Sequence, residues 1–456
     1  LIASSLHINL DCSDIKALHD ALDISMYEFQ AQVNSVGDKP LPALSMAGDP
    51  IKLVTEHTLS LKQFHNKMFF FLVDEYENYT DYQQQILNSL IKHNTDKYTF
   101  KIGVRELGWR IKHTLNEAEL LHDPADFVLV NIERKLVSES HFAGFAKEVC
   151  QQRIRQLCSE EENGQEYDIE QALGSLSIED EATLLDIRNS DYWKDIQALP
   201  EQERAKLHGK ADLYSFFLAY WARWHEQNLI DIICKLQDQP TSWTTRYENY
   251  KYSMLFKIRV GRGKSGIQKY YCGWDTYTRL AAGNIRYLME LVYRTYEKHL
   301  ENGKKLTEPV SPSDQTKAAQ EVGIKNLMQL EGLWKSGAQL TKLLLGLGRI
   351  FQLLARAEGR NAPEINQFSI ENSTDVSTEC RELLSAAVMH LALVRSPGTK
   401  LDSASHTRDY TYSVHPIYSP YFVFSHRKKR RMTLSQDEIL GLVKTPKETI
   451  SSILKR

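Results

Sequence analysis

The stretch that decides the fold is Met68-Phe69-Phe70-Phe71-Leu72-Val73-Asp74-Glu75, six apolar residues followed by two acids. A continuous apolar run of strand length, bounded by polar residues, predicts a strand covered on both faces, as in a parallel sheet. The two carboxylates then lie at its carboxyl end, where ligands bind in open α/β sheets. A buried strand that merely ends in an exposed acidic turn is the alternative interpretation.

Strands and helical segments alternate on both sides of this run. Residues 81–93 carry apolar side chains at helical spacing. Further short strands are predicted at residues 7–10, 98–102 and 127–130. Strands separated by helical segments predict a three-layer α/β domain with a parallel sheet over residues 1–156.

The rest of the chain divides by composition into segments 157–274, 275–358 and 359–456. Residues 157–204 hold 14 acidic residues against three basic ones. The first segment is therefore predicted to be an acidic helical insertion, followed by a β-hairpin. The second is predicted to be a helical lid or regulatory region. The third begins with a turn-rich stretch and is predicted to be a C-terminal domain with a basic run and two capped helices.

The composition excludes several classes of protein. With 456 residues, 42% hydrophobic residues and a net charge of -3, the chain is an ordinary globular sequence and not a basic nucleic-acid coat. No apolar run approaches 18 residues, so we expect no membrane span. The six cysteines form no CxxC pair, which predicts a cytoplasmic protein without a disulfide framework. Neither an HExxH pair nor a GxSxG elbow is present.

An apolar strand that delivers two acids matches the Walker B arrangement of P-loop NTPases. The first acid holds Mg²⁺, usually through water, and the second orients and activates the attacking water. Asp74 is then the metal residue and Glu75 the catalytic one. Together with the helical segment and the strand that follow, these residues resemble AAA+ ATPases, most closely their origin-recognition-like and STAND-like branches.

The resemblance implies two further nucleotide contacts. In AAA+ proteins the strand after Walker B ends in a polar sensor of the γ-phosphate, which implies that role, or that of an arginine finger, for Arg105, with Arg110 as an alternate. The usual sensor is Asn, Ser or Thr, and a surface arginine is the alternative. The sequence Gly283-Asn284-Ile285-Arg286 is similar to the turn that opens a helix in several AAA+ lids. It implies that Arg286 contacts phosphates, with an ordinary helix start as the alternative.

The phosphate-binding loop is missing from the sequence. Gly263-Lys264-Ser265 does not qualify, because the motif needs a glycine five positions earlier and Ile258 stands there. We expect residues 7–10 to form the second strand of the sheet, with the first strand and the P-loop upstream of Leu1. A degenerate ATPase that has lost these elements is the alternative.

Basic residues cluster at two places. The first is the run Arg427-Lys428-Lys429-Arg430-Arg431, and residues 421–456 together carry a net charge of +6. With the capped helices downstream, this run predicts a helix-turn-helix or winged-helix module that contacts phosphates of DNA or RNA. The predicted hairpin, with Arg262 and Lys264 at its tip, is a second candidate. A solvated or protein-facing basic patch explains both equally well.

The resemblance thus implies an oligomeric protein that binds ATP and Mg²⁺, hydrolyses ATP and couples its nucleotide state to nucleic-acid association. Bacterial members of these branches often occur in anti-phage defence. Two other hypotheses remain: a STAND-like switch that controls an effector protein subunit, and a pseudo-ATPase scaffold.

Overall fold

The computed structural model describes residues 15–34, 48–132, 139–157, 168–260, 266–333, 337–357, 364–371, 375–397 and 410–455. The chain forms two units, which meet in the sequence between residues 130 and 131. No helix in the described segments combines the length and the apolar character needed to cross a membrane.

Two parallel strands form the centre of the N-terminal unit. Its elements are α1 (Ile15–Asn34), α2 (Asp49–Leu59), β1 (Phe69–Val73), α3 (Asp81–Lys92) and β2 (Tyr98–Ile102). The two strands pair from Phe69 opposite Tyr98 to Val73 opposite Ile102. The predicted order of strand, helix and strand is confirmed, and α3 is the crossover that parallel pairing requires.

The prediction that β1 is covered on both faces is wrong for the described residues. On one face, the Phe71 ring packs against those of Tyr98 and Phe100, at centroid distances of 6.0 and 5.5 Å. On the other face, Phe70 and Leu72 are 56% and 79% exposed. An apolar run indicates which residues favour burial, but the segments that would cover them lie elsewhere in the chain. Residues 7–10, predicted as a further strand, lie outside the described residues.

The predicted strand at residues 127–130 is also wrong. These residues have no regular structure, and Val128, Leu129 and Val130 are exposed. Phe127 instead packs edge-on against Trp109, with ring centroids 4.9 Å apart. Apolar composition favours a strand only where a neighbouring strand supplies hydrogen-bond partners.

Helices make up the greater part of the C-terminal unit. They are α4 (Glu139–Arg155), α5 (Ile169–Ala172), α6 (Ile178–Leu184), α7 (Asp191–Gln197), α8 (Glu201–Ala205), α9 (Asp212–Trp224), α10 (Leu229–Asp238), α11 (Pro240–Met254), α12 (Trp274–Ala281), α13 (Ile285–Glu301), α14 (Pro312–Glu331) and α15 (Gly337–Arg356). The core around α9 is rich in aromatic residues, and Phe216 and Phe217 are fully buried in it. For the described part of the acidic segment, residues 168–204, the predicted helical character is confirmed.

The predicted β-hairpin after α11 is wrong, because its two described sides are turns and irregular chain. The apolar residues there are buried against helices and do not pair as strands: Leu255 and Ile258 belong to the core around α9. Between them, the buried Lys257 extends its Nζ to the carbonyl oxygens of Ala355 (3.3 Å) and Ala357 (2.5 Å), at the end of α15. A lysine in this position satisfies carbonyl groups that the helix itself leaves unpaired.

A four-stranded mixed sheet follows α15. Its strands are β3 (Ile365–Ile370), β4 (Leu393–Pro397), β5 (Tyr410–Val414) and β6 (Arg430–Leu434), in the spatial order β4-β5-β3-β6. β5 is antiparallel to both β3 and β4, whereas β6 is parallel to β3. The accompanying helices are α16 (Thr378–Met389), α17 (Ser419–Phe422), α18 (Gln436–Lys444) and α19 (Pro446–Lys455). β3 lies in the stretch predicted to be turn-rich. The first of the two predicted helix caps is confirmed as a capping box formed by Ser435 and Glu438.

Candidate functional site

Asp74 and Glu75 follow β1 directly and are exposed at its carboxyl end. The Asp74 Oδ1 accepts the backbone N–H of Glu75 at 2.9 Å. Glu75 adopts a left-handed backbone conformation, with φ 52° and ψ 42°, and a 3₁₀ turn over Tyr76–Asn78 follows it. The Asn78 Nδ2 donates to the Glu75 Oε2 at 3.0 Å and thereby orients this carboxylate. The strand therefore delivers two acids to solvent at its carboxyl end.

Gly103, the first residue after β2, brings the end of that strand against Asp74. Its N–H donates to the Val73 carbonyl at 2.8 Å, and its own carbonyl accepts the N–H of Tyr76 at 3.2 Å. A Cβ atom at position 103 would lie 3.0 Å from the Asp74 Oδ1, closer than most Cβ contacts. A glycine thus lets the two strand ends lie side by side.

Arg105 lies at the same edge of the sheet, held by Glu77. Its Nε lies 2.9 Å from the Glu77 Oε1, and its backbone N–H donates to the Glu77 Oε2 at 3.2 Å. The Glu77 side chain is only 5% exposed, whereas that of Arg105 is 46% exposed. The structure therefore brings Asp74, Glu75 and Arg105 to one edge and adds Glu77, which is absent from the predicted site. A third acid two residues after Glu75 is the sequence signal for it.

Arg110, the alternate sensor candidate, is bound to the segment that follows β1. Its guanidinium donates to the carbonyl oxygens of Glu77 (2.7 Å) and Tyr79, and it pairs with Asp81 at 3.1 Å. These contacts engage the guanidinium from several directions. Arg110 thus ties the two segments that leave the sheet edge to each other.

Two buried amides of α3 support this edge. The Gln84 Oε1 accepts the N–H groups of Arg110 (3.1 Å) and Ile111 (3.2 Å). The Asn88 Nδ2 donates to the carbonyl oxygens of Ile111 (3.0 Å) and His113 (2.9 Å). The Tyr76 hydroxyl donates to the Asn88 Oδ1 at 3.1 Å, and burial raises the pKa of this hydroxyl well above its usual range. Polar residues on the inner side of an otherwise amphipathic helix are the sequence signal for such a network.

Arg286 lies in the C-terminal unit, in the first turn of α13. The Asn284 side chain caps this helix, accepting the N–H groups of Arg286 (3.0 Å) and Tyr287 (3.3 Å). Tyr287 is buried, whereas Arg286 is exposed. The predicted turn that opens a helix is confirmed, and the contact of Arg286 with phosphates stays a prediction.

The basic run contains residues in two different environments. The Arg427 guanidinium lies 3.7 Å from the centroid of the Tyr252 ring. The Lys429 Nζ pairs with the buried carboxylate of Glu364 at 3.0 Å. These two cations are half-buried and make intramolecular contacts, and a partner would have to displace those contacts to bind them.

The other three cations of the run, Lys428, Arg430 and Arg431, are exposed. The Lys428 Nζ donates to the Ser396 Oγ at 3.0 Å, and the Arg431 Nη1 donates to the Thr411 Oγ1 at 3.4 Å. Both partners are neutral hydroxyl groups, so the positive charges remain open to an anion. Arg262 and Lys264, at the tip of the predicted hairpin, lie outside the described residues.

Comparison with curated proteins and with solved structures gives no match. The model of the ORC-CDC6-like family matches residues 3–434. The match spans nearly the whole chain and agrees with a paired acidic site at the end of a parallel strand. The chain therefore belongs to the ORC-CDC6-like family of AAA+ ATPases.

Proposed function

We propose that this protein binds ATP with Mg²⁺, hydrolyses ATP, and uses its nucleotide state to control its association with nucleic acid. The observation that carries the proposal is the common edge of β1 and β2, where Asp74, Glu75 and Arg105 lie together. Membership of the ORC-CDC6-like family supports nucleotide binding, because AAA+ proteins of this kind typically bind ATP with Mg²⁺.

The residues at this edge fit a magnesium–nucleotide complex. Mg²⁺ usually keeps several waters and takes one or two carboxylates together with substrate phosphates, so it needs no closed cage of protein ligands. The described residues contain no cluster of three or more His, Cys, Asp or Glu that would form such a cage. The exposed Asp74 carboxylate supplies the kind of contact that the ion requires.

The roles of the side chains follow from their positions. A bound Mg²⁺ would neutralise negative charge on the phosphates. Asp74 would hold the ion, and Glu75 would orient the attacking water and accept its proton. Arg105, kept at the edge by Glu77, contacts the terminal phosphate. For Arg286, the family resemblance implies a phosphate contact from the lid.

The C-terminal unit supports the nucleic-acid part of the proposal. For this unit we propose the winged-helix module that the sequence predicts; its described strands lie in the order β4-β5-β3-β6 and are accompanied by α16, α18 and α19. The exposed cations of the basic run add the positive charge that phosphate contacts need. A cytoplasmic bacterial oligomer that acts in anti-phage defence is the setting we propose on the resemblance alone.

The substitution Glu75→Gln tests the catalytic assignment in the full-length protein. It removes the general base without changing the size of the side chain. We expect ATP binding to persist and turnover to fall by roughly 100-fold or more, since a positioned base contributes about 10²–10⁴-fold. Steady-state hydrolysis and equilibrium ATP binding measure the two effects. Glu117→Gln, at an exposed acid of the same unit, is the matched control, and unchanged turnover in Glu75→Gln would overturn the assignment.

Measuring turnover with and without DNA separates the three candidate functions. Stimulation by DNA supports the proposed nucleic-acid coupling. ATP turnover that is the same with and without DNA favours a STAND-like switch that controls an effector protein. A full-length protein that binds but never hydrolyses ATP is a scaffold.

A further inference from the structure

One face of the C-terminal sheet carries a row of four hydroxyl groups that crosses all four strands. Ser396 on β4 lies opposite Thr411 on β5, which lies opposite Ser369 on β3, which lies opposite Thr433 on β6. Residues directly opposite one another in neighbouring strands point to the same side of a sheet. With strands about 4.8 Å apart, the row is roughly 14 Å long. We call the side of the sheet that carries this row the hydroxyl face.

The row next to it on the same face is Val394, Ser413, Gln367 and Arg431. The opposite face carries Phe368, which is fully buried and stacks on Tyr412 with ring centroids 5.4 Å apart. Every residue of the two rows on the hydroxyl face is half-buried or exposed. The core therefore uses one side of this sheet and leaves the polar side accessible.

Two cations donate hydrogen bonds to hydroxyl groups of the row. Arg431 donates to the Thr411 Oγ1 at 3.4 Å, and Lys428 donates to the Ser396 Oγ at 3.0 Å. None of the four strands contains an Asp or a Glu. In the described part of the chain neither cation has a carboxylate partner, in contrast to Lys429, which pairs with Glu364. The hydroxyl face is thus a positively charged surface rich in hydrogen-bond donors.

We infer that the hydroxyl face binds the phosphate backbone of a nucleic-acid duplex without reading its sequence. This inference rests on the nucleic-acid association proposed above and assigns part of it to a sheet face, separate from any helix inserted into a groove. Ser, Thr, Gln, Arg and Lys side chains are common donors to phosphate oxygens, and such contacts position a protein without specifying bases. A row of regularly spaced donors suits an anion that repeats along a chain.

The duplex is favoured over a single strand because neither row of the hydroxyl face contains an aromatic residue. Proteins that bind single strands without sequence preference use aromatic side chains as stacking platforms for the bases. The aromatic residues of this sheet, Phe368, Tyr410 and Tyr412, alternate with the hydroxyl row and belong to the other side. Only the backbone contacts remain, and these require no unstacked bases.

The test is a salt titration of duplex binding by the full-length double variant Lys428→Gln/Arg431→Gln. Removal of one phosphate contact reduces the steepness of log K against log salt concentration by about 0.9. We therefore expect the steepness to fall by about 2, and the affinity for a random duplex of about 30 base pairs to fall by roughly tenfold or more. Both side chains are exposed, and a circular-dichroism melt checks that the variant folds.

The matched control is Arg395→Gln, which removes one positive charge from β4 on the other face of the sheet and is compared with the single variant Arg431→Gln. Arg395 lies opposite Tyr412, between Val394 and Ser396 of the hydroxyl face. The control should keep the wild-type slope, and Arg431→Lys should also keep it, because the charge remains. Thr433→Val, which replaces an exposed hydroxyl by a methyl group, should lower the affinity about two- to threefold at an unchanged slope, since it removes one hydrogen-bond donor but no charge.

Three results would overturn the inference. The first is wild-type duplex binding by the Lys428/Arg431 double variant. The second is an equal loss of affinity in Arg395→Gln and in Arg431→Gln, which would show an effect of net charge alone. The third is stronger binding of a single-stranded oligonucleotide or of polyglutamate than of the duplex. A wild-type protein that binds no nucleic acid at all instead overturns the nucleic-acid part of the proposed function, so the two failures are distinguishable.

Discussion

The two sheets of this protein differ in how their apolar and polar side chains are distributed. The β1–β2 pair is apolar on both sides of β1, and its polar groups stand at the carboxyl end. The C-terminal sheet alternates apolar and polar residues, so its core side and its polar side are both specified within each strand. In an alternating strand, the sequence itself therefore determines which side faces the core and which side is polar. A continuous apolar strand such as β1 depends on other segments, and the described residues leave Phe70 and Leu72 exposed.

The largest expected effect compares one phenylalanine from each sheet. Phe368→Ala should lower the free energy of unfolding by about 3–5 kcal/mol, since it leaves a cavity in a fully buried site. Phe70→Ala, at an exposed site, should change it by about 0.5 kcal/mol or less. Urea unfolding followed by amide hydrogen exchange in each sheet measures the two effects separately. A cost at Phe70 as large as that at Phe368 would show that the open face of β1 is covered in the folded protein.

A smaller effect, confined to the C-terminal unit, depends on pH. Burial lowers the pKa of His415 to about 3, and its Nδ1 accepts the N–H of Ile417 at 3.2 Å, which requires an unprotonated nitrogen. The unfolded chain, with an ordinary pKa of 6.5, takes up a proton that the folded protein excludes. The stabilising contribution of this residue is therefore complete above pH 6.5, and it declines by about 1.4 kcal/mol per pH unit as the pH falls from 6.5 towards 3.

Urea unfolding between about pH 4.5 and 7.5, which brackets the ordinary histidine pKa, measures this slope. His415→Asn keeps an acceptor for the Ile417 N–H but has no proton to take up, so its slope in this window should be shallower by that amount. A variant with the wild-type slope would exclude His415 as the source. Burial and nearby cations also lower the pKa of His426, so the slope should not vanish.

The smallest effect concerns the capping box, a helix-start motif that occurs in both units. α3 begins with a capping box formed by Thr80 and Gln83, and α18 begins with one formed by Ser435 and Glu438. Thr80→Ala and Ser435→Ala should each cost about 1 kcal/mol, because each leaves a backbone N–H without its partner. Exchange of the Gln83 and Glu438 amides should accelerate about fivefold, whereas Thr80→Ser and Ser435→Thr should keep both rates. A different loss of stability in the two alanine variants would show that the contribution of a capping box depends on the unit that contains it.

Features of the fold that depend on neighbouring residues could be predicted from the sequence. The strands β1 and β2, the helix between them and the cap at Ser435 each follow from a pattern within a short window. Features that depend on distant partners are missed: residues 127–130 find no strand to pair with, and the residues after α11 are buried against helices. β3 is not predicted, because its partner strands β5 and β6 follow it in the chain by about 40 residues or more.

The candidate site divides in the same way. Asp74 and Glu75 are predictable, since a strand end and its next two residues are adjacent in the chain. The contacts of Glu77, Gln84 and Asn88 are not predictable, because their hydrogen bonds reach residues 105–113, more than 20 positions away. These contacts form only after α3 has crossed over and placed β2 beside β1, and no pattern within a short window of sequence indicates this arrangement.

Lys257 has a consequence for dividing the protein into fragments. Its ammonium group spans about 100 residues of sequence to reach the last carbonyls of α15. A polypeptide that ends at residue 274, the predicted segment boundary, would have to bury this ammonium without those acceptors. The complementary fragment would leave the carbonyls without their donor. Soluble pieces of this unit should therefore be sought with residues 257 and 357 on the same polypeptide.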